Sequence, residues 1–547
     1  MTQADLVIEG RIATLADEEG FGWVEAIAIR TGRVVATGSR AAVEGAVGPR
    51  TRRMRLAPDE AAIPGLSDAH LHLAEGGLSA DRIDLTSSSS LEAGLAVIAD
   101  AHAALPPDRW LEGHGWDSDR WGGWPTAEAL ERVAPGRRVA IWAHDHHALW
   151  TSPAALRAAA VDDATPDPPG GVIRRDRATP NGLLHENATR LVTRHVPAPT
   201  PDDLEQAIEA LAARLVALGV VAVHDPGALS LQTGLGAAFE AYRRLADRQG
   251  LPLRVHVAVR EEQLAAARDA ALRSGDAIGD PAGRVRFGWL KLFADGTLGS
   301  RTAALLDPIE PEPDRELPPG TERGVFTTSP ETLAELARAA ADAGIATKIH
   351  AIGDAAVRAA LDALAPTVGR TKLVPRVEHV QLVAAPDVRR FGGTGVAASV
   401  QPVHLRADAD NARRLWGARA ERLGYPWAAL LRSGALLGFG TDAPVESIDP
   451  WPGLAMAVTR TSPEWRGKTE PFGGHNGVSL AQALRAACAA PAAMAAETDR
   501  GRLGAGHRAD VVVIPAAALT EPVAFDGPLG TVRPRLVFVD GEVAFES

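Results

Sequence analysis

Short apolar runs alternate along most of this chain with Ala- and Leu-rich segments in which apolar residues recur at helical spacing. The runs read as buried strands and the segments as amphipathic helices, the rhythm of repeated strand–helix units in a parallel sheet. The strand-like runs are Ala62–Pro64 leading into SDAHLHL, Val220–His224, Leu253–Val259, Phe287–Ala294, Ile345–Ala351, Arg376–Val380, Val396–Gln401 and Leu436–Thr441. Helical stretches fit between most of them, among them Leu204–Leu218, Glu261–Ser274, Pro330–Ala343 and Ala355–Leu364. Eight parallel strands with outer helices predict an α/β chain built on a (β/α)8 TIM barrel, here over residues 61–499.

Both ends have a different pattern. Leu6–Ile8, Ala26–Arg30 and Val34–Thr37 read as short strands with Gly32 and Gly38 between them. Asp510–Ile514 and Leu536–Val539 read the same way, with Asp540-Gly541 as a hairpin turn before Glu542-Val543. Two or three short strands cannot bury a sheet alone. The expectation is one small composite β-sandwich domain formed by 1–60 plus 500–547. A second departure is the interval of 77–200, too long for a strand–helix connection. It carries its own strand candidates, Trp110–Gly115 and Arg138–Ala143, and six of the twelve tryptophans. It reads as a subdomain inserted after the first barrel strand, emerging at the active-site mouth. Most of its tryptophans are expected to fill its own core.

Composition narrows the classes of function. With 547 residues the chain exceeds one core, and 46% hydrophobic with 23% charged residues is ordinary for a soluble globular protein. A formal net charge of −12 argues against nucleic acid or an anionic membrane as partner, leaving a small-molecule substrate. Cys488 is the single cysteine, so neither an internal disulfide nor a cysteine-based zinc site is available. The first residues, MTQADLVIEGRIATLADEEG, do not read as a signal peptide, and no apolar run approaches the roughly 18–20 residues of a spanning helix. A cytoplasmic protein is expected, and a homo-oligomer, a dimer being the commonest closed form.

Five places carry chemistry-bearing residues at the C-terminal end of a predicted strand. In Asp68-Ala69-His70-Leu71-His72, positions i and i+2 on a strand face the same way, so both imidazoles can reach one ion. Lys291 is a charge inside the apolar run FGWLKLFADG, costly to bury unless paired or modified. His350 in KIHAIGD, His379 in VEHVQ and Asp442 in GFGTDAP complete the set. Each alone has an ordinary explanation. The order HxH, Lys, His, His, Asp on strands one, four, five, six and eight does not, and such donors suit Zn2+ or a similar divalent cation.

The phrases PGLSDAHLHL, GHGWD, VVAVHDPG, KLFADGTLGSRTA, KIHAIGDAAV, VEHVQ and GTDAPV, with the tail GRLGAGHRADVVVI, resemble the amidohydrolase superfamily. Within it they are most similar to the amidohydrolase 3 branch, which includes N-substituted formamide deformylases. The resemblance spans nearly the whole chain and implies the same barrel, composite β domain and insertion. It implies His70 and His72 on the more buried of one or two zinc ions, and His350 and His379 on the second. Lys291 would be carboxylated and bridge the two. Asp442 would bind the first metal and shuttle the proton. The implied activity is cleavage of a non-peptide C–N bond by metal-activated hydroxide, of N-substituted formamides or N-acyl amines, with Asp442, His379 and Lys291 as catalytic groups. Substrate contacts are sought at His147 and Trp150 in HDHHALW, at Arg301 ten residues after Lys291, and at His404 after the seventh strand. Asp295 and Gly296 are read as turn-shaping, and His224-Asp225 as support for the ligands. Two rivals remain: a cyclic amidase, carbamate or ester hydrolase or ring deaminase on the same site, and a catalytically inactive binding or regulatory protein.

Overall fold

A computed structural model describes residues 3–17, 19–79, 82–106, 108–227, 234–280, 283–311, 320–465 and 470–547. Its central sheet has eight strands hydrogen-bonded in chain order: β1 (Leu66–Asp68), β2 (Val220–Asp225), β3 (Arg254–Arg260), β4 (Val285–Phe293), β5 (Ala346–Ala351), β6 (Arg376–His379), β7 (Ala397–Val400) and β8 (Leu437–Phe439). Every neighbouring pair is parallel. The ring is drawn together where the Ala69 N–H donates to the Phe439 carbonyl at 2.9 Å. Strands covered on both faces read as continuous apolar runs. Accordingly β2, β3 and β5 are buried at every position. This is the TIM barrel expected from the sequence, with its active-site mouth at the C-terminal strand ends.

One strand was placed too early. Ala62–Pro64 belongs to Glu60–Pro64, which pairs antiparallel with Val511–Pro515 in a different sheet, and the first barrel strand follows Gly65. The outer helices include Pro201–Ala217, Pro330–Asp342 and Asp354–Leu364. The first is opened by a capping box in which Thr200 and Asp203 satisfy each other's backbone N–H. The helix expected over Glu261–Ser274 is a 3-10 turn followed by Leu264–Asp269 only. Its chain leaves the helical conformation at Ala271, whose φ is 52°.

Both termini contribute to one eight-stranded sheet, joined through Glu60–Pro64. The sheet folds over so that Ile8, Ile12, Ile27 and Ile29 of one wing share a core with Val511, Val513 and Phe538 of the other. The alternate residues Val512 and Ile514 face the barrel core instead, the period-two division of a strand between two faces. Arg254 on β3 and Arg500 both bind Asp510 at this junction, at 2.9 and 3.4 Å.

A third sheet of six strands, running from Ile83–Asp84 to Thr179–Glu186, lies between β1 and β2 in the chain. Separate apolar clusters include Trp116 and Trp150 in one and Trp110 in the other, with Trp121, Trp124 and Trp142 packed against them. Of the six tryptophans only Trp142 lines the cavity above the barrel. Among the described residues no helix is long and apolar enough to cross a membrane.

Candidate metal centre

His70 and His72 leave the end of β1, Lys291 and His350 lie within β4 and β5, His379 ends β6, and Asp442 follows β8. Backbone contacts lock the first and last together: the Asp442 N–H donates to the His70 carbonyl at 2.7 Å. Asp68 accepts from the backbone N–H groups of His70 and Thr441, at 3.0 and 3.1 Å. Among the described residues, His70, His379 and Asp442 bring one ligand atom each within 4.8 Å of one another. Asp442 Oδ1 stands 3.4 Å from His70 Nε2 and 3.3 Å from His72 Nε2, so His72 joins the same carboxylate. His350 lies beside this group, its ring centroid 4.4 Å from that of His379 and its Nε2 3.2 Å from the Gly296 carbonyl oxygen. His379 thus stands between the two groups, its ring centroid 4.4 Å from that of His350 and 5.1 Å from that of His70, with its Nδ1 3.8 Å from Asp442 Oδ2.

The ligand atoms are oriented from behind. His70 Nδ1 stands 2.9 Å from Glu378 Oε2, and Glu378 is fixed by Arg376 at 2.8 Å. His72 Nδ1 faces Glu75 at 3.0 Å, and His379 Nδ1 faces Gln401 Oε1 at 2.8 Å. A second group on each imidazole sets its tautomer and aim, the usual support of a metal ligand. Sequence reasoning passed over Glu378, Glu75 and Gln401. Glu378 and Arg376 carried a readable signal, charges inside an apolar strand run, the same one that singled out Lys291.

Burial controls the charges. It pushes His70 down to about 3, and it holds His350 and His379 well below the ordinary imidazole value, so all three are neutral and able to donate a lone pair. Burial works the other way on Asp442, but His70, His72 and His379 around it hold its carboxyl well below the usual range. Burial would lower His72 too, yet its carboxylate neighbours Asp442 and Glu75 raise it to about 9. A proton between those carboxylates therefore occupies the place that suits a cation. Burial pushes Lys291 down to about 7 against the pull of Glu378. Its Nζ has no hydrogen-bond partner among the described residues and lies 4.6 Å above the Phe293 ring.

This centre opens on a cavity of about 1090 Å3 walled partly by the insertion, through Trp142, His144, His146 and His147. His147 lines it with Nδ1 2.7 Å from Glu186, and His404 lines it with Nε2 3.6 Å from Asp442 Oδ2. Two expected substrate contacts fall elsewhere. Trp150 is fully buried in the insertion core, its indole N–H donating to the Thr126 carbonyl at 2.8 Å. Arg301 is buried against Asp119 at 2.8 Å and over Trp124 at 5.2 Å, fastening the loop after β4 to the insertion. Asp295 shapes that loop, accepting from the N–H groups of Ala304, Ile352 and Gly353. Asp225 accepts from Gly227 and from the Tyr242 hydroxyl, and His224 Nδ1 faces Arg376 at 2.9 Å.

Buried histidines and an aspartate converging at the C-terminal mouth of a parallel barrel define a barrel enzyme. The chain belongs to the amidohydrolase family, whose model matches residues 57–545. It is 31% identical over 521 residues to Protein LONG AFTER FAR-RED 3 of Arabidopsis thaliana, covering 93% of this chain and 86% of that one. It is 26% identical over 543 residues to the N-substituted formamide deformylase of Arthrobacter pascens, covering 95% of each. Among solved structures, an uncharacterized metal-dependent hydrolase from Pyrococcus horikoshii OT3 superposes with a TM-score of 0.71 at 26% identity, covering 93% of this chain and 97% of that one.

Proposed function

We propose that this protein is a divalent-metal-dependent hydrolase that breaks the C–N bond of a non-peptide amide, with N-substituted formamides and N-acyl amines as its substrate class. One observation carries the metal requirement: Asp442 Oδ1 is buried without a well-aligned hydrogen bond although two imidazole nitrogens stand 3.3 and 3.4 Å away. The Asp442 carboxylate and the neutral imidazoles of His70 and His379 facing one point, with His72 holding a proton beside them, are a donor set for a cation such as zinc. His70, His72, His379 and Asp442 would hold it, with His350 and Lys291 beside them for a second. Held there, such an ion would supply acidification of a water and polarisation of a carbonyl. Similarity to the formamide deformylase of Arthrobacter pascens and to the metal-dependent hydrolase of Pyrococcus horikoshii supports the same reading.

The chain's own groups supply the rest. Asp442 is ionised and can take a proton from the attacking water as oxygen bonds to the acyl carbon. Returned to the nitrogen, that proton lets the C–N electron pair leave with the amine. His404 and His147 both face the cavity, and His147, raised by Glu186 against the lowering effect of burial, is a donor for the acyl oxygen. Lys291, near 7, is partly neutral at neutral pH. In that form its nitrogen adds to CO2, a C–N bond forming as one proton leaves, which replaces a repelled ammonium by an anionic oxygen ligand.

Amine release from N-formyl, N-acetyl and N-aroyl amines by zinc-loaded protein tests the reading. Release from at least one acyl class is expected. Silence across all three, with metal confirmed in the protein, would exclude linear amides as substrates.

A further inference from the structure

Four imidazole rings follow one another along the wall of the cavity, His147, His350, His379 and His404, with neighbouring centroids 4.8, 4.4 and 6.1 Å apart. The inner two belong to the metal-binding set. Of the outer two, His147 is tied through Nδ1 to the Glu186 carboxylate, and His404 through Nδ1 to an amide, that of Gln381 at 3.4 Å. That difference fixes what His404 can do. The Gln381 side-chain nitrogen also stands 3.1 Å from Asp408 Oδ2, which accepts from the Tyr425 hydroxyl at 2.8 Å. Burial raises the Asp408 carboxyl to about 6, so at neutral pH it only accepts. Gln381 therefore turns its NH2 towards both groups, one hydrogen for Asp408 and one for His404 Nδ1. With Nδ1 accepting, the ring hydrogen of His404 sits on Nε2.

That hydrogen points at the place where the chemistry falls. His404 is 8% exposed and opens the helix His404–Trp416 just after β7, its backbone N–H held by the Gln401 carbonyl at 3.1 Å. Nε2 is buried without a hydrogen-bond partner among the described residues, and Asp442 Oδ2 stands 3.6 Å from it, beyond hydrogen-bond length. Asp442 divides its oxygens: Oδ1 faces His70 and His72, and Oδ2 faces His404. Water deprotonated by Asp442 lies within hydrogen-bond reach of the carboxylate, and the acyl carbon it attacks within about 3–3.5 Å of the water. As the oxygen–carbon bond forms, the C=O electron pair moves onto the acyl oxygen, within range of Nε2–H. The amide nitrogen is no rival acceptor, since it has no free lone pair before attack and afterwards takes the proton from Asp442. We propose that His404 is a catalytic residue whose Nε2–H donates to the acyl oxygen as it becomes an oxyanion, beside the donor His147. His404 keeps its own proton throughout, and the C–N bond breaks when the oxyanion pair returns to carbon. The assignment rests on the C–N hydrolase reading and adds a second donor to it.

The test compares N-benzylformamide with N-benzylthioformamide on zinc-loaded wild type, His404→Ala, His404→Phe and His404→Gln. His404→Ala and His404→Phe both remove the donor, the second keeping a ring in its place, while His404→Gln offers an amide N–H at a similar reach. For the formamide, kcat should fall about 100-fold in His404→Ala and His404→Phe with KM changed less than about threefold, and recover at least about tenfold in His404→Gln. Sulfur is the weaker acceptor, so the preference of wild type for oxygen over sulfur should shrink at least about tenfold in both donorless variants. Binding of methylphosphonate, a tetrahedral anion, is read by calorimetry in the same proteins and needs no turnover. It should weaken at least about tenfold without the donor. A kcat in His404→Phe within about threefold of wild type, or an unchanged oxygen-over-sulfur preference, would overturn the assignment while amine release kept the hydrolase reading intact. With neither amide cleaved, weakened methylphosphonate binding that His404→Gln restores would uphold His404 as an oxyanion donor and count against formamide hydrolysis. Unchanged binding in that case would overturn both.

Discussion

Asp442 and His379 both adopt left-handed backbone conformations, with φ of 61° and 74°, in which non-glycine residues are costly. Strain of this kind persists only where surrounding contacts impose it, and here the Asp442 N–H bond to His70 and the Asp68 cradle do so. Gly440 makes that cradle possible, since a Cβ there would sit 2.5 Å from the His70 nitrogen and 2.8 Å from Asp68 Oδ1. Gly440→Ala should therefore destabilise the protein by about 1–3 kcal/mol and reduce bound metal, read by denaturant melts and elemental analysis. Unchanged metal content would show that the β1 and β8 ends are not coupled this way. Glu378→Gln should cost more, about 3–5 kcal/mol, because it leaves the Arg376 guanidinium buried without its counter-charge. A loss below about 1 kcal/mol in the same melts would contradict that. Single residues were legible where a charge interrupted an apolar run, as Lys291 does. Arg260, Lys348, Arg376 and Glu378 send the same signal; Arg376 and Glu378 pair with each other two residues apart on β6, but the contacts of Glu378 with His70 and of Arg376 with His224 come from other strands and cannot be read from spacing. Spacing also placed Arg301 near the mouth without giving its direction, which Asp119 of the insertion decides.

At the scale of elements the barrel strands were legible because parallel strands covered on both faces must be apolar throughout. The same property misled at Ala62–Pro64. A buried run in a terminal sheet looks like a buried run in a barrel, and only pairing with Val511–Pro515 separates them. The junction between that sheet and the barrel is polar. Arg254 and Arg500 share Asp510, while Arg500 also binds Glu497 and Ser67. Burial opposes ionisation of Glu497, but Arg500 lowers it to about 2 from 4.5. A depressed carboxylate contributes stability that is complete above its unfolded value and is lost as pH falls towards the folded one. Wild-type protein should accordingly lose about 2 kcal/mol from this group between pH 4.5 and 2, beyond what Glu497→Gln loses. Parallel stability–pH curves for the two proteins would show that the junction does not depend on this charge.

The whole molecule puts a metal centre under a roof. Barrel strands supply the ligands, the terminal sheet braces the opposite end, and the insertion closes one wall of the cavity through His144, His146 and His147. Ligands drawn from β1, β6 and the β8 end tie distant parts of the chain together, so a bound ion should stabilise the fold globally. Chelation is expected to lower the melting temperature by the equivalent of about 4 kcal/mol when free metal stood a thousandfold above its Kd, and re-addition of zinc should restore it. Equal melting with and without metal would place the ion outside the folded core. The insertion's role was legible only as a position after β1, because which of its side chains face inward depends on a six-stranded sheet whose two apolar clusters take up most of its tryptophans. The most direct test of the account is the rate of amine release measured against metal content, titrated from metal-free to saturated protein, in wild type and Asp442→Ala. Release should rise in proportion to bound metal and fall by at least about 100-fold in the variant. Turnover undiminished in the metal-free protein, or in Asp442→Ala, would contradict it.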